Sequence, residues 1–307
     1  MVKVDLITGF LGSGKTTFIK KYARYLMEQG QNIGILENDF GAINVDMMLL
    51  RELEGENCEL EAGGCDKDCY RRRFKTKLIA MGMCGYDRVL IEPSGIFDVD
   101  DFFDALHEEP LDRWYQIGNV ITVVDASLEK TLSKEADYVL ASEVANAGCV
   151  LLSKTQDASE EEIRQTVAHL NRALQEIHCS RVLKDEVICK DWEDFTEKEF
   201  KKILESGYLV EDYEKLYVDQ DEIFQTLFFM DEKIAVSKAK HAAKKIFADP
   251  ACGGVLRVKG FLQDGKNWLE LNATQHEISL KPIGAGQDVL IIIGEKLNEE
   301  KIRYYLE

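Results

Sequence analysis

An α/β fold with a mainly parallel, doubly wound sheet, followed by a small α+β domain of ferredoxin-like type, is what this sequence predicts. Three observations carry that expectation. The chain has 307 residues, about twice a typical domain. Its first half alternates short runs that are apolar on both faces with helical segments, the pattern of parallel strands joined by crossovers. Beyond residue 222 the rhythm changes to strands that follow one another through tight turns, with a helix near each end.

Each element has its own signal. Val2 to Ile7 is the first strand, and the helix after it carries Phe18, Ile19, Tyr22, Ala23 and Leu26 at three- and four-residue spacing, with Gly30 at the capping position. The next strands are Ile33 to Leu36, Arg88 to Ile91, Val120 to Val124 and Cys149 to Leu152. A polar amphipathic helix starts after Ser159, where Glu160, Glu161 and Glu162 complement the helix dipole as a solvated face. Between Lys190 and Glu222 acids, lysines and aromatics mix without a long apolar run. The sequence therefore divides into a first domain over 1–190, a linker region over 191–222 and a C-terminal domain over 223–307. In the last, strands at Phe224 to Phe229, Gly254 to Leu262, Asn267 to Ala273 and Val289 to Ile293 accompany helices at Ser237 to Phe247 and Asn298 to Leu306, with Asp264-Gly265 as a hairpin turn.

Composition excludes several classes. An apolar content of 45% and only four prolines describe a folded chain. Acidic residues outnumber basic ones 56 to 38, and a net charge of −18 repels a phosphate backbone, so no nucleic-acid partner is expected. No run approaches the roughly 20 apolar residues of a membrane helix, and the N-terminus runs straight into a strand pattern, so no membrane association and a cytoplasmic location are expected. The eight cysteines then read as thiols. Cys84, Cys149, Cys179, Cys189 and Cys252 lie in or beside apolar runs and are expected to be buried. His107, His169, His178, His241 and His276 are scattered without ligand spacing.

The chemistry begins at Gly9-Phe10-Leu11-Gly12-Ser13-Gly14-Lys15-Thr16, which fits the phosphate-loop pattern between a strand and a helix and narrows the fold class to a P-loop NTPase domain. Glycines let the backbone wrap a phosphate with its amides inward, and the helix N-terminus favours an anion. Gly9, Gly12, Ser13, Gly14, Lys15, Thr16 and Thr17 are the expected nucleotide-binding residues. Lys15 would bridge the β- and γ-phosphates, and the Thr16 hydroxyl would hold Mg²⁺. Three further segments fall at strand ends on the same sheet edge, where doubly wound folds bind ligands. Glu37-Asn38-Asp39-Phe40-Gly41 is a switch-like loop whose Asp39 could reach the metal or the γ-phosphate. In Glu92-Pro93-Ser94-Gly95, Glu92 stands where an acid orients Mg²⁺ or its water, and Gly95 offers an amide to the γ-phosphate. Asp125 closes one strand, and Ser153-Lys154-Thr155-Gln156 closes the next, with Ser153, Lys154 and Gln156 placed for the base.

Taken together, TGFLGSGKTT, ENDFG, IEPSG, VVDA and, further on, VLRVKGFL resemble the CobW family, GTPases related to UreG and HypB that serve metal trafficking and cobalamin biosynthesis. The resemblance covers nearly the whole chain. It implies a Mg²⁺-dependent GTPase cycling between GTP and GDP and coupled to delivery of a metal ion or metallocofactor, with a client metalloprotein or cofactor-pathway protein as partner. Two positions depart from the family pattern. Its Cys-x-Cys-Cys motif is represented by Gly63-Gly64-Cys65-Asp66-Lys67-Asp68-Cys69, so Cys65 matches and Cys69 follows four residues on. Two soft thiolates suit Zn²⁺ or Co²⁺, with Glu37 as an oxygen donor and Cys58 as a possible third thiolate; a buried or redox pair of thiols is the alternative. The usual Asn-Lys-x-Asp is Ser153-Lys154-Thr155-Gln156, which weakens a charge-assisted contact to guanine and leaves GTP or ATP open, with Asp157 next in line.

Lys15, Thr16 and Glu92 are the expected catalytic residues of a slow triphosphatase. Neither a glutamine nor an arginine stands at a motif position to orient the attacking water, so a partner or a second subunit is expected to supply that group. The alternatives are an ATPase of the same fold and a nucleotide-sensing regulatory or scaffold module without significant turnover.

Overall fold

The computed structural model describes residues 1–38, 53, 58–62, 67–93, 99–129, 132–215, 224–230, 234–284 and 286–307. They form two units, Met1–Leu216 and Tyr217–Glu307. In the first, seven strands make one sheet in the order β3-β2-β4-β1-β5-β6-β7, every neighbouring pair parallel. They are β1 (Val2–Thr8), β2 (Ile33–Asn38), β3 (Cys58–Ala62), β4 (Arg88–Pro93), β5 (Tyr115–Asp125), β6 (Cys149–Ser153) and β7 (Val187–Ile188). The chain leaves β1 for β2 and β3 on one side, returns to β4 and continues through β5 to β7 on the other. That reversal opens a crevice at the carboxyl ends of the strands beside β1.

Apolar runs became buried strands where both faces are covered, since all of β4 and β6 and the last five residues of β1 are buried. The helices of more than one turn are α1 (Lys15–Glu28), α2 (Lys67–Gly82), α3 (Val99–His107), α4 (Lys134–Ala145), α5 (Glu160–Glu176) and α6 (Glu197–Leu204). The stripe Phe18, Ile19, Tyr22, Ala23 and Leu26 is the buried face of α1, and Gly30 follows it at φ 78°. Ser159 caps α5 through a reciprocal bond pair with Glu162, so the acidic run is the capped, solvated start of a helix.

A buried polar knot holds β1, β4 and β5 together near their amino ends. The Asp5 carboxylate receives Arg88 Nη1 at 2.5 and 2.6 Å, Tyr22 Oη at 2.7 Å and the Asn119 amide at 2.9 Å, so the ion pair is matched on several sides. Burial first, then the neighbouring Asp5 charge, raises the Tyr22 hydroxyl well above its ordinary value.

Residues 191–215, expected as linker, are part of the first unit. A 3-10 turn at Trp192–Asp194 and α6 send Trp192 and Ile203 into the same core as Phe18, Ile121 and Leu151. The segment after α6 closes on the sheet, where the Gly207 carbonyl accepts from the Val120 amide at 2.9 Å and the Gly207 amide donates to Asn119 Oδ1 at 2.9 Å.

The second unit has an antiparallel sheet in the order β11-β10-β9-β12-β8, comprising β8 (Phe224–Met230), β9 (Gly254–Asp264), β10 (Asn267–Ala273), β11 (Ile278–Ile283) and β12 (Val289–Glu295). Helix α7 (Val236–Ala248) joins β8 to β9, and β12 is inserted between those two strands, a split βαβ arrangement within an α+β unit. Helix α8 (Glu299–Leu306) closes the chain, and its Ile302 and Leu306 join Phe229, Ala239, Ile246 and Ile292 in a core of this unit's own.

Candidate functional site

Between β1 and α1 the backbone turns through Gly9 at φ 142°, Gly12 at 76° and Gly14 at 100°, three conformations that side chains rarely adopt. A Cβ on Gly9 would lie 2.2 Å from the Val123 carbonyl oxygen, so the loop lies directly against β5. Gly14 is the N-cap of α1. It offers no side-chain cap, and the first turn carries no acid. The positive end of α1 is thus left for another anion, whereas Ser133 caps α4 and Ser159 caps α5.

Lys15 is 6% exposed and its ammonium donates to the Gly9 carbonyl at 2.9 Å. Beside it the Ser13 hydroxyl is buried without a hydrogen-bond partner among the described residues. Thr16 Oγ1 donates to Glu92 Oε1 at 3.1 Å. Glu92, the last residue but one of β4, lies next to Glu37 on β2, the two being register partners and both buried. Two buried carboxylates and a hydroxyl therefore converge at adjacent strand ends. Thr17 is exposed one residue further along α1.

On the other side of β1, the Lys154 ammonium sits on Asp125 Oδ2 at 2.7 Å, and the Ser127 amide donates to Asp125 Oδ1 at 2.9 Å. Lys154 is left-handed at φ 54°. Buried Ser153 donates its hydroxyl to the Val124 carbonyl at 3.3 Å. Gln156 is exposed and gives its amide to Asp157 Oδ2 at 2.9 Å. The phosphate loop and the Ser153 to Gln156 segment thus both lie at carboxyl ends of strands of one parallel sheet, at β1 and β6.

Of the other expected residues, Asp39, Cys65 and Gly95 lie outside the described residues. Cys69 falls within α2, and its side chain lies outside them too. Among the described residues no three His, Cys, Asp or Glu side chains are grouped to hold a metal ion. Cys149, Cys179 and Cys252 are buried as expected, and burial pushes the Cys149 thiol up to about 12. Cys84 and Cys189 are exposed, against the expectation: each follows the end of an element, where the chain turns outward. Among the described residues no helix is long and apolar enough to cross a membrane.

Two site residues carried no motif. Glu143 of α4, fully buried, accepts from Thr8 Oγ1 at 2.7 Å and from the Gly9 amide at 3.3 Å. Its one visible signal was a single acid in the otherwise uncharged stretch from Tyr138 to Ala145. Trp192 lies edge-on to Phe18, 5.6 Å between centroids, and its six-membered ring borders Gly14, where an added Cβ would meet it at 3.5 Å. The linker assignment hid it.

Residues 3–181 match the family described as CobW/HypB/UreG, nucleotide-binding domain. The zinc chaperone YjiA of Escherichia coli (strain K12) is 30% identical over 182 residues, 55% of this chain and 55% of that protein. The zinc-regulated GTPase metalloprotein activator 1 of Schizosaccharomyces pombe (strain 972 / ATCC 24843) is 25% identical over 182 residues, 55% of this chain and 44% of that one. The chain thus spans about half the length of these relatives. A crystal structure of Zn(II)-bound YjiA GTPase from E. coli aligns with 100% of this chain and 99% of that one at 21% identity and a TM-score of 0.43. The family match takes in more than half of the sequence, including the phosphate loop and the Ser153 to Gln156 segment, and the chain belongs to the CobW/HypB/UreG nucleotide-binding family.

Proposed function

We propose that this chain binds GTP with Mg²⁺, hydrolyses it slowly, and uses the change of nucleotide state to hold and release a divalent transition-metal ion for a client protein. The observation that carries the reading is the Gly9 to Thr16 loop, with three left-handed glycines, an uncapped α1 N-terminus, and a buried lysine and serine hydroxyl turned into it. Backbone amides cradle the phosphates. Lys15 exchanges the Gly9 carbonyl for phosphate oxygens and offsets the charge that spreads over them as the γ-phosphoryl group leaves.

The Thr16 hydroxyl and Glu92 carboxylate are hard oxygen donors, which suits Mg²⁺. That ion, when bound, neutralises charge on the β- and γ-phosphates. Glu92 orients the Thr16 hydroxyl, while Asp39 and Gly95 belong to the two loops proposed to order around the γ-phosphate. Ser153, Lys154 and Gln156 line the base side, with the Lys154 stem fixed by Asp125. A partner or a second subunit supplies the group that orients the water.

For the metal cargo we assign Cys65, Cys69 and Glu37. Glu37 is the register partner of Ala62, the last residue of β3, and Cys65 follows three positions later in the sequence. Two relatives described as a zinc chaperone and a zinc-regulated GTPase metalloprotein activator support Zn²⁺ as the cargo.

The test compares phosphate release from Mg²⁺-GTP by wild type and Lys15→Ala, alongside Zn²⁺ titration with GDP and with a non-hydrolysable GTP analogue. Losing the charge-assisted contact should cost about 1.5–3 kcal/mol of triphosphate binding and most of the turnover, with circular dichroism unchanged. Turnover by folded Lys15→Ala equal to wild type would reduce the chain to a module that senses nucleotide or does neither. Zn²⁺ affinity should differ between the two nucleotide states and fall in the Cys65→Ser, Cys69→Ser double variant; equal affinity throughout removes these ligands.

A further inference from the structure

Glu143 occupies a costly place. Its carboxyl group is wholly buried behind a loop built to hold an anion, where a second acidic group is unfavourable through both repulsion and desolvation. Its bonds say what it holds. Oε1 takes the Thr8 hydroxyl at 2.7 Å and the Gly9 amide at 3.3 Å, and the backbone carbonyl of Glu143 takes the Thr122 hydroxyl of β5 at 2.9 Å. The Gly9 carbonyl in turn receives the Lys15 ammonium at 2.9 Å. Gly9 is thus gripped from both sides, by Glu143 at its amide and by Lys15 at its carbonyl, and Val123 leaves no room for a Cβ there.

We infer that Glu143 is a positioning residue of the phosphate loop, one that sets the exit of the chain from β1 and so aims Lys15 and the loop amides at the triphosphate. The inference rests on the nucleotide reading above. Helix α4 leads into β6, which ends at Ser153 and is followed by Lys154, so one side chain on this helix ties the phosphate loop to the element that leads to the proposed base side. A carboxylate suits the task because one oxygen can accept the hydroxyl and the amide together. The carboxamide of glutamine keeps such an oxygen, and alanine keeps none.

The experiment measures binding of a fluorescent GTP analogue with Mg²⁺, GTP turnover and thermal midpoint for full-length wild type, Glu143→Gln, Glu143→Ala, Thr8→Val, the Thr8→Val, Glu143→Ala double variant, and Lys15→Ala. Expected are a loss of at least tenfold in affinity for Glu143→Ala, about fivefold for Thr8→Val, recovery to within threefold of wild type for Glu143→Gln, and a double variant no weaker than Glu143→Ala, because both changes break one contact. A merely structural carboxylate would lower the thermal midpoint and leave affinity at an assay temperature where the variant is folded unchanged, and that result overturns the inference. Should Glu143→Ala not fold, Thr8→Val decides, since it replaces one hydroxyl by a methyl of similar size; wild-type affinity in that variant also overturns it. If wild type binds no triphosphate, or Lys15→Ala binds it equally well, the nucleotide reading fails and the inference falls with it; if Lys15→Ala weakens binding and neither Glu143→Ala nor Thr8→Val does, the inference alone fails.

Discussion

Gln156 gives its amide to the neighbouring Asp157 carboxylate, so the neutral residue at the end of the Ser-Lys-x-Gln segment holds an acid one position late. Guanine presents two donors on its Watson–Crick edge, and the pair retains acceptor oxygens on both side chains, but both residues are exposed and part of that capacity is spent on each other. A real but shallow preference for GTP over ATP is expected. Gln156→Asp should deepen it by about 1–3 kcal/mol, read from competition of the two nucleotides, because a single carboxylate accepts both donors. Equal affinities that the substitution leaves unmoved would place residue 156 away from the base. At this scale Lys15 and Thr16 were legible in the sequence because one contiguous glycine-rich motif contains both, and Glu92 because it follows an apolar run and precedes Pro-Ser-Gly; the structure joins Thr16 to Glu92 across 76 positions. Glu143 was not: it lies 134 positions from the amide it holds, and its partners are a hydroxyl and a backbone group that no motif marks.

Among the elements, long apolar runs declared themselves, and the strands that were missed are those with little apolar surface to bury. β3 reads Cys-Glu-Leu-Glu-Ala, β7 has two residues, and β11 is an outer strand with Lys281 and Pro282. Helix α6 was passed over for the same reason, although its Phe200 stacks on Tyr25 of α1 at 4.5 Å. Its start depends on Glu199, which receives the Thr196 hydroxyl at 2.5 Å, the Thr196 amide at 2.8 Å and Lys190 at 3.0 Å. Those donors, the Thr196 hydroxyl foremost, lower its pKa to about 2. The folded value lies below the ordinary one, so the cap contributes fully above about pH 4.5 and is lost as pH falls toward 2. A carboxyl-resolved NMR titration should find Glu199 ionising near 2 in wild type and closer to the ordinary glutamate value in Thr196→Ala; ordinary titration in both would show that the Thr196 bonds to Glu199 are not formed in solution.

For the whole molecule, the acidity is uneven: residues 1–216 hold 42 acidic and 26 basic residues, and 217–307 hold 14 and 12, so the first unit carries −16 of the −18. Each unit has its own apolar cluster. A chain ending at Leu216 is therefore expected to melt cooperatively, whereas one ending at Lys190 loses Trp192, Ile203 and the Gly207 closure on β5. Removing two such buried side chains forfeits about 5–10 kcal/mol, comparable to the stability of an ordinary domain. Thermal melts of the two truncations check this, and a stable 1–190 fragment would return 191–215 to the status of a linker. The boundary was misplaced because a core can recruit single residues from a polar stretch, which leaves no periodicity to read.

Trp192 gives the protein an optical property. Indole emission shifts with the dipoles and charges around the ring, and this ring borders the glycine from which the α1 amides start. A triphosphate and its cation arriving at those amides change the local field beside a buried fluorophore. The chain has two other tryptophans, Trp114 and Trp268, and replacing both with phenylalanine leaves a single emitter. With that variant, adding GTP and Mg²⁺ should change the intensity or wavelength of emission in proportion to occupancy, and the further introduction of Lys15→Ala should move the midpoint to higher nucleotide concentration. An unchanged spectrum at saturating nucleotide would mean that the field at the indole does not alter. Where the change is seen, binding and turnover become readable in real time with no label attached.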